Sequence, residues 1–305
     1  MEPLISNAAR PARLAVGVVG AGRVGAVLGA ALARAGHDLV AVAAVSAASR
    51  RRAADLLPGV PVVGVEEVLS RAGLVLLTVP DDALPELVHG LSATGAIRRG
   101  MLLAHTSGRY GLEVLAPAAG AGALPLALHP VLPFAGTRVD LERLTGTSFG
   151  VTAPEPLRPI AEALVVEMGG EPVWLTEQQR PVWHAALAHG ANHLTTLVAT
   201  CADLLRSVGV EQPGLVLGPL LGAALDGSLR SGDAALTGPV ARGDAGTVRA
   251  HLDVLARVAP EVLASYVAMA RLTADRALAC GLLAPERASA LLEVLAGTPT
   301  GGVPR

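Results

Sequence analysis

The sequence contains no lysine: all 24 of its Lys and Arg residues are arginine. A Schiff-base mechanism needs a lysine amine, and the P-loop of many nucleotide-binding proteins needs a lysine that reaches the phosphates. A lysine general acid is ruled out in the same way. Three classes of site are therefore excluded by composition.

Aromatic residues, cysteines and net charge are also low. With two Trp, two Tyr, two Phe and a net charge of −2, the chain has neither stacking platforms for bases nor a general attraction for nucleic acid. The two cysteines, Cys201 and Cys280, lie in helical patterns, which favours buried small side chains over a disulfide. We therefore expect a cytoplasmic protein that binds no nucleic acid.

No apolar run is suited to crossing a membrane, although 51% of the residues are hydrophobic. The most apolar stretch, residues 16–32, is interrupted by Arg23 and by glycines. Residues 1–12 lack the apolar core of a signal sequence, and we expect them to form a disordered tail.

The sequence does contain a glycine-rich turn between a predicted strand and a predicted helix. Residues 14–19 are a Val-rich apolar run, typical of a strand buried on both faces, and residues 20–25 follow as G-x-G-x-x-G. In a dinucleotide site Gly20 makes the tight turn, Gly22 lets the backbone approach a pyrophosphate, and Gly25 lets the helix pack on the strand. The helix would present its free N–H groups to the phosphates.

The end of the second predicted strand, residues 38–45, indicates which dinucleotide binds. NAD sites usually have Asp or Glu there, bound to the ribose 2′-hydroxyl, but this chain has Ser46 followed by Arg50, Arg51 and Arg52. Hydroxyl and guanidinium groups suit a 2′-phosphate, which predicts NADP. The alternative is that some of these arginines are a solvated start of a helix.

Strands continue to alternate with helices up to about residue 176, which predicts a parallel sheet with ligands beyond the carboxyl ends of its strands. Polar residues follow three of these strands: Val79-Pro80-Asp81, His105 to Gly108, and His129-Pro130. We expect the nicotinamide half of the cofactor there, and for His105 and His129 a buried structural role is equally expected. The predicted cofactor contacts also include Arg23, Val24, Val79 and Pro80.

From Thr176 onward long helices replace the strands, so we predict a dinucleotide-binding domain at residues 1–176 and a helical domain at residues 177–305. The first long helix places His184 and Asn192 on one small, polar face. Histidine suits proton transfer near neutral pH, and asparagine can orient a carbonyl or hydroxyl group. A buried structural histidine is the alternative.

Three other patterns carry less weight. His189 and His193 have a zinc-like i, i+4 spacing but lack the intervening Glu and a third ligand, so we predict no metal. Residues 146–150 match G-x-S-x-G, yet a strand is predicted after them, where the nucleophile elbow of hydrolases needs a helix. Arg242 lies on a loop, either solvated or able to bind a carboxylate or phosphate.

Together these motifs, with the segments Arg180-Pro-Val-Trp-His184 and Ala235-Leu-Thr-Gly-Pro239, resemble bacterial Rossmann-like proteins whose C-terminal half is a domain of unknown function. Their relatives are pyrroline-5-carboxylate reductase, 6-phosphogluconate dehydrogenase and deazaflavin-dependent NADP reductases. The resemblance covers nearly the whole chain. It implies an α/β fold in which an N-terminal Rossmann domain precedes an all-α, 6-phosphogluconate-dehydrogenase-like domain, with NADP-dependent reduction and a homodimer formed through the helical domain.

Some members of that family are proposed as ketopantoate reductases of pantothenate synthesis, so the resemblance implies a small 2-keto acid as substrate. The family pattern has Lys and Tyr where this chain has Arg180 and Trp183, and known ketopantoate reductases use a lysine as proton donor. We therefore expect His184 to donate the proton and Arg180 to bind the carboxylate. The predicted catalytic residues are His184, Asn192, Arg180, Ser107 and His105. The alternatives are a cyclic imine or a deazaflavin as substrate, or a non-catalytic NADP-binding sensor or scaffold.

Overall fold

The structure is a computed structural model that describes residues 13–297. The predicted tail at residues 1–12 lies outside the described residues. The chain divides into two compact units between Asn192 and His193, inside one long helix. The predicted boundary at residue 176 coincides with the change from strands to helices, and it stays a prediction.

Seven strands form one sheet in the order β2-β1-β3-β4-β5-β6-β7. They are β1 (Ala15–Val19), β2 (Asp38–Ala43), β3 (Leu74–Leu77), β4 (Leu102–His105), β5 (Leu124–Pro130), β6 (Ser148–Thr152) and β7 (Glu171–Trp174). All neighbouring pairs are parallel except β5 with β6, which is antiparallel. The strand order reverses at β1, and ligands of open α/β sheets bind beyond the carboxyl ends at such a point.

Helices of the first unit cover both faces of this sheet. They are α1 (Arg23–Arg34), α2 (Ala47–Leu56), α3 (Val65–Arg71), α4 (Leu84–Ala93), α5 (Ala116–Gly120), α6 (Arg138–Arg143), α7 (Arg158–Glu167) and the start of α8 (Arg180–Ser207). Along β3, Leu74 and Leu76 belong to the apolar cluster that contains α1, whereas Val75 and Leu77 belong to the cluster that contains α3 and α4. Side chains that alternate between two buried faces explain why the strands are continuous apolar runs.

The second unit is helical, and with the sheet of the first it confirms the predicted fold class. After α8 it contains α9 (Pro213–Ser231), α10 (Gly238–Ala241), α11 (Ala245–Val258), α12 (Pro260–Ala279) and α13 (Pro285–Ala296). Its core lies between α11, α12 and α13, around Val248, Val267 and Leu291. No helix in the described part of the chain is both long enough and apolar enough to cross a membrane.

Candidate functional site

The three glycines of the turn between β1 and α1 have different surroundings. Gly20 has φ +100° and its carbonyl oxygen accepts a hydrogen bond of 2.6 Å from Thr78 Oγ1. A Cβ atom on Gly25 would lie 2.2 Å from both Gly20 O and Thr78 Oγ1, so only glycine fits between them. A Cβ atom on Gly22 would meet nothing nearer than Gly20 O at 4.0 Å. Gly22 therefore faces the open space that a phosphate group needs.

The N-terminus of α1 is open to an anion. Its N-cap, Gly22, has no side chain to bind the first N–H groups, and no acidic residue lies in the first turn. The N–H groups of Arg23 and Val24 therefore point out of the helix end, where they and the helix dipole attract negative charge. Val79 and Pro80 follow Thr78 just after the end of β3, at the carboxyl edge of the sheet beside this turn.

The predicted phosphate-binding segment begins with a helix cap. Ser46 is the N-cap of α2. Its Oγ accepts a hydrogen bond of 3.0 Å from Ser49 N, so this hydroxyl group stabilises the start of the helix. Arg50 donates from Nε to Ala44 O at 3.3 Å, and Arg51 is exposed.

The loop between β5 and α6 lies against two arginines at this end of the cofactor site. A Cβ atom on Gly136 would be 2.8 Å from Arg52 Nε and 3.1 Å from Arg23 Cα. Arg23 and Arg52 have no carboxylate partner within residues 13–297. These guanidinium groups could therefore bind a ligand phosphate, and nothing in the residue spacing connects them with residue 136.

His105 is the last residue of β4 and supports the loop that follows it. Its side chain is fully buried, Nδ1 accepts from Ser107 N at 3.2 Å, and Nε2 lies 2.7 Å from Gly111 O. Because Nδ1 accepts, Nε2 carries the proton and donates. Both nitrogens are thus occupied, and burial lowers the pKa of His105 to about 4. The predicted catalytic role of His105 does not agree with this geometry.

This burial predicts that the protein loses stability in mild acid. The folded-state pKa of His105 is about 4 against an ordinary 6.5, so below pH 6.5 the unfolded chain binds a proton that the folded chain does not. We expect the free energy of unfolding to fall by about 2 kcal/mol from this residue between pH 7.5 and 5.0. Urea unfolding of wild type and His105→Asn at both pH values measures it. An equal change in the free energy of unfolding between the two pH values in both proteins would contradict the prediction.

Ser107 is also occupied within the loop. It is 6% exposed, and its Oγ accepts from the backbone N–H groups of Arg109 (3.3 Å) and Tyr110 (3.2 Å). Its carbonyl oxygen accepts from Arg180 Nη1 at 3.0 Å. Ser107 therefore shapes the loop, and a direct catalytic role, as predicted, does not agree with its burial.

Arg180 is the largest fully buried side chain among those described. Nε donates to Thr152 Oγ1 at 2.8 Å, and Nη2 donates to Ala127 O at 2.9 Å and to Gly150 O at 3.0 Å, in addition to the Nη1 bond to Ser107. Burial lowers its pKa to about 10, which still leaves it charged at neutral pH. The predicted contact with a substrate carboxylate does not agree with this geometry, because the guanidinium group is enclosed and bound by protein oxygens.

His184, Trp183 and His129 do come together at the carboxyl edge of the sheet. Trp183 Nε1 donates to His129 Nδ1 at 3.1 Å, and the rings of His129 and His184 lie edge to face with centroids 5.9 Å apart. Gly108 borders both rings, since a Cβ atom there would be 2.7 Å from His184 Cδ2. Asn192 is eight residues further along α8, about 12 Å by helix geometry, so it does not share this cluster.

A pocket of about 410 Å³ opens beside His184. Arg109 and Tyr110 line it, with the guanidinium group 4.6 Å above the tyrosine ring, and so does Glu177. Glu177 accepts from the N–H of Leu112 at 2.7 Å. Sequence reasoning missed these three lining residues, although Arg109 and Tyr110 directly follow the strand end that it singled out. No three His, Cys, Asp or Glu side chains of residues 13–297 are grouped to hold a metal ion.

Family comparisons cover most of the chain. Residues 1–130 match the Rossmann-like domain, and residues 147–273 match a domain of unknown function, DUF2520. Among curated proteins, no sequence matches this chain.

Solved structures with the same fold include three with names that bear on function. A candidate NADP oxidoreductase from Bacteroides fragilis is 23% identical, with a TM-score of 0.75 over 86% of this chain and 98% of that one. An imine reductase from Pseudomonas sp. is 18% identical, with a TM-score of 0.65 over 93% and 100%. A Plasmodium falciparum pyrroline carboxylate reductase with NADP bound is 12% identical, with a TM-score of 0.55 over 91% and 98%. The chain thus combines a Rossmann-like domain with a C-terminal DUF2520 domain.

Proposed function

We propose that the protein is a cytoplasmic NADP-dependent oxidoreductase that reduces a small carbonyl compound, with a 2-keto acid such as ketopantoate as the leading substrate. The observation that carries the proposal is the pairing of an open dinucleotide turn at Gly22 with a histidine, His184, beside a pocket at the same edge of the sheet. The names of the structural neighbours, which include NADP oxidoreductases and imine reductases, support the same class of reaction.

The residues present fit a bound NADP. The α1 N-terminus would hold the pyrophosphate, and Arg23, Arg50 and Arg52 would hold the 2′-phosphate. No acidic residue ends β2, which disfavours recognition of the 2′-hydroxyl of NAD. The bound nicotinamide would supply a hydride.

The substrate would lie in the pocket beside His184. Arg109 is the accessible cation there, with its side chain 53% exposed and only a loose 3.8 Å ion pair to Asp82. It therefore replaces Arg180 as the proposed partner of a substrate carboxylate. His184 would donate the proton to the reduced oxygen.

NADPH oxidation with ketopantoate, other 2-keto acids and cyclic imines tests this function. We expect faster turnover with NADPH than with NADH, and a loss of about 100-fold or more in kcat for His184→Ala. His89→Ala, at an exposed histidine of α4, is the matched control and should be unchanged.

Three other outcomes would replace the proposal. Turnover of cyclic imines alone would favour an imine reductase, the second candidate, which the neighbours support. Turnover of a deazaflavin alone would assign that substrate. Tight NADPH binding without turnover of any compound would favour a sensor or scaffold.

We also propose that the protein is a homodimer formed through its helical unit. Leu215, Leu220 and Leu229 of α9 are 72%, 63% and 80% exposed. Within its own unit, the one described element that packs extensively on α9 is the short turn Gly232–Ala235 that follows it. Apolar surface of this extent favours cover by a second copy. Sedimentation should give the mass of a dimer, and Leu220→Glu should shift the protein toward monomer.

A further inference from the structure

We propose that His129 is a catalytic residue whose Nε2–H group donates a hydrogen bond to the carbonyl oxygen, or to the unprotonated imine nitrogen, of the substrate. The inference rests on the proposed reductase function and names the group that polarises the bond to be reduced. His129 lies near the carboxyl end of β5, opposite Gly150 of β6, at the edge of the sheet where ligands of this fold bind.

Trp183 fixes the position of the proton on this ring. An indole N–H can only donate, and Trp183 Nε1 lies 3.1 Å from His129 Nδ1. Nδ1 must therefore accept, and the neutral ring carries its proton on Nε2. Gly150 leaves the room for this contact, because a Cβ atom there would lie 2.9 Å from Trp183 Nε1.

The Nε2–H group of His129 is not used by the fold. No hydrogen-bond partner of Nε2 lies within residues 13–297. Among residues 13–297, Asp140 Oδ1 is the one side-chain polar atom that is both fully buried and without a hydrogen-bond partner. Because His129 Nε2 also lacks a partner but is not such a buried atom, it must be accessible to solvent. Gly108 leaves space beside Nε2 that a larger residue would fill, since a Cβ atom there would be 2.8 Å from Nε2. An oriented donor without a protein acceptor is placed to bind a ligand acceptor.

The surroundings keep the ring neutral. Burial, with the charges of His184 and Arg180, lowers the pKa of His129 to about 4. The titratable groups that face it are His184 and Arg180 from α8 and His105 from β4. A neutral donor polarises the carbonyl group and keeps its own proton. His129 therefore polarises the substrate, and His184 supplies the proton.

These two roles account for the hydride, the electron pair and the proton of the reduction. The carbonyl carbon would take a hydride from bound NADPH, and the oxygen would take the π electron pair while it accepts the hydrogen bond from His129. The oxygen then takes a proton from His184, which water reprotonates. Trp183 acts through His129 and is a positioning residue.

Two substitutions separate this donor from simple packing. His129→Phe removes the N–H group and should lower kcat about 100-fold while the Kd for NADPH stays unchanged. His129→Gln carries an amide N–H in place of Nε2–H and should remain within about 10-fold of wild type. Equal losses in both variants, or no loss in His129→Phe, would overturn the proposal.

A second measurement reads the ring directly in the ¹⁵N-labelled full chain. We expect His129 to be protonated on Nε2 alone and not to titrate between about pH 5.5 and 8, and Trp183→Phe to give a mixture of tautomers. Ketopantoate with NADP⁺, which cannot react together, should shift the Hε2 resonance of His129. An Nδ1–H tautomer, or no shift, would overturn the role of His129. Turnover without the shift removes only this inference, whereas the shift without turnover removes the reductase function and leaves the donor.

Discussion

Replacement of Arg180 by methionine should lower the free energy of unfolding by about 3 to 5 kcal/mol, because each buried acceptor left without its donor costs about 1 to 3 kcal/mol. The variant keeps an apolar side chain of similar length but leaves the acceptors of the guanidinium group, among them Ala127 O and Gly150 O, without their donor. Urea unfolding followed by circular dichroism measures the change. Arg180→Lys should be intermediate, because an ammonium group cannot reach all of these acceptors in one plane.

Arg71→Met is the matched control in the same unit. Arg71 is an exposed residue of α3 that pairs with Glu67 one turn away, and loss of such a pair costs at most about 0.5 kcal/mol. If Arg180→Met were as stable as Arg71→Met and instead raised the KM for a 2-keto acid, Arg180 would bind the substrate and the structural role would be wrong.

Substitution of alanine at two glycines of the dinucleotide turn should give opposite results. Gly25→Ala places a Cβ atom 2.2 Å from Gly20 O and from Thr78 Oγ1, so the turn must move even without cofactor. We expect a loss of about 1 to 3 kcal/mol in stability, together with loss of NADPH binding. Gly22→Ala faces open space, so the free protein should keep its stability. Its methyl group would occupy the path of the pyrophosphate and weaken NADPH binding by about 100-fold.

Thermal unfolding without ligand and a fluorescence titration with NADPH separate these two effects. Gly90→Ala, in α4 with no atom within 4 Å of the added Cβ, is the control and should match wild type in both measurements or be slightly more stable. Gly22→Ala that binds NADPH like wild type would show that no pyrophosphate lies at this turn.

The sheet and the long helices could be predicted because their signals are local. Continuous apolar runs mark β1 and β3, and the first long helix predicted after Thr176 is observed at Arg180–Ser207. The glycine turn was predictable for the same reason, since its residues are adjacent in the chain.

The roles of the candidate site residues were harder to predict, because they depend on burial and on partners that are distant in the sequence. An arginine at the start of α8 gives no sign in the sequence that carbonyl groups 53 and 73 residues away enclose it. Helical periodicity placed Asn192 on the face of His184, but the rise of about 12 Å between them along the axis keeps Asn192 away from the ring cluster. His105 and His129 both lie at the carboxyl ends of strands, and only their hydrogen bonds show that His105 supports a loop whereas His129 has an unused N–H group.

The acceptors of Arg180 also have a consequence for the rates of folding and unfolding. They lie 28, 30, 53 and 73 residues before it in the chain, so β4, β5 and β6 must be assembled before the guanidinium group finds its partners. Contacts of such long sequence separation form late, after the loops between them have closed. The Arg180 contacts should therefore contribute little to the folding rate and slow unfolding instead, which makes them a source of kinetic stability.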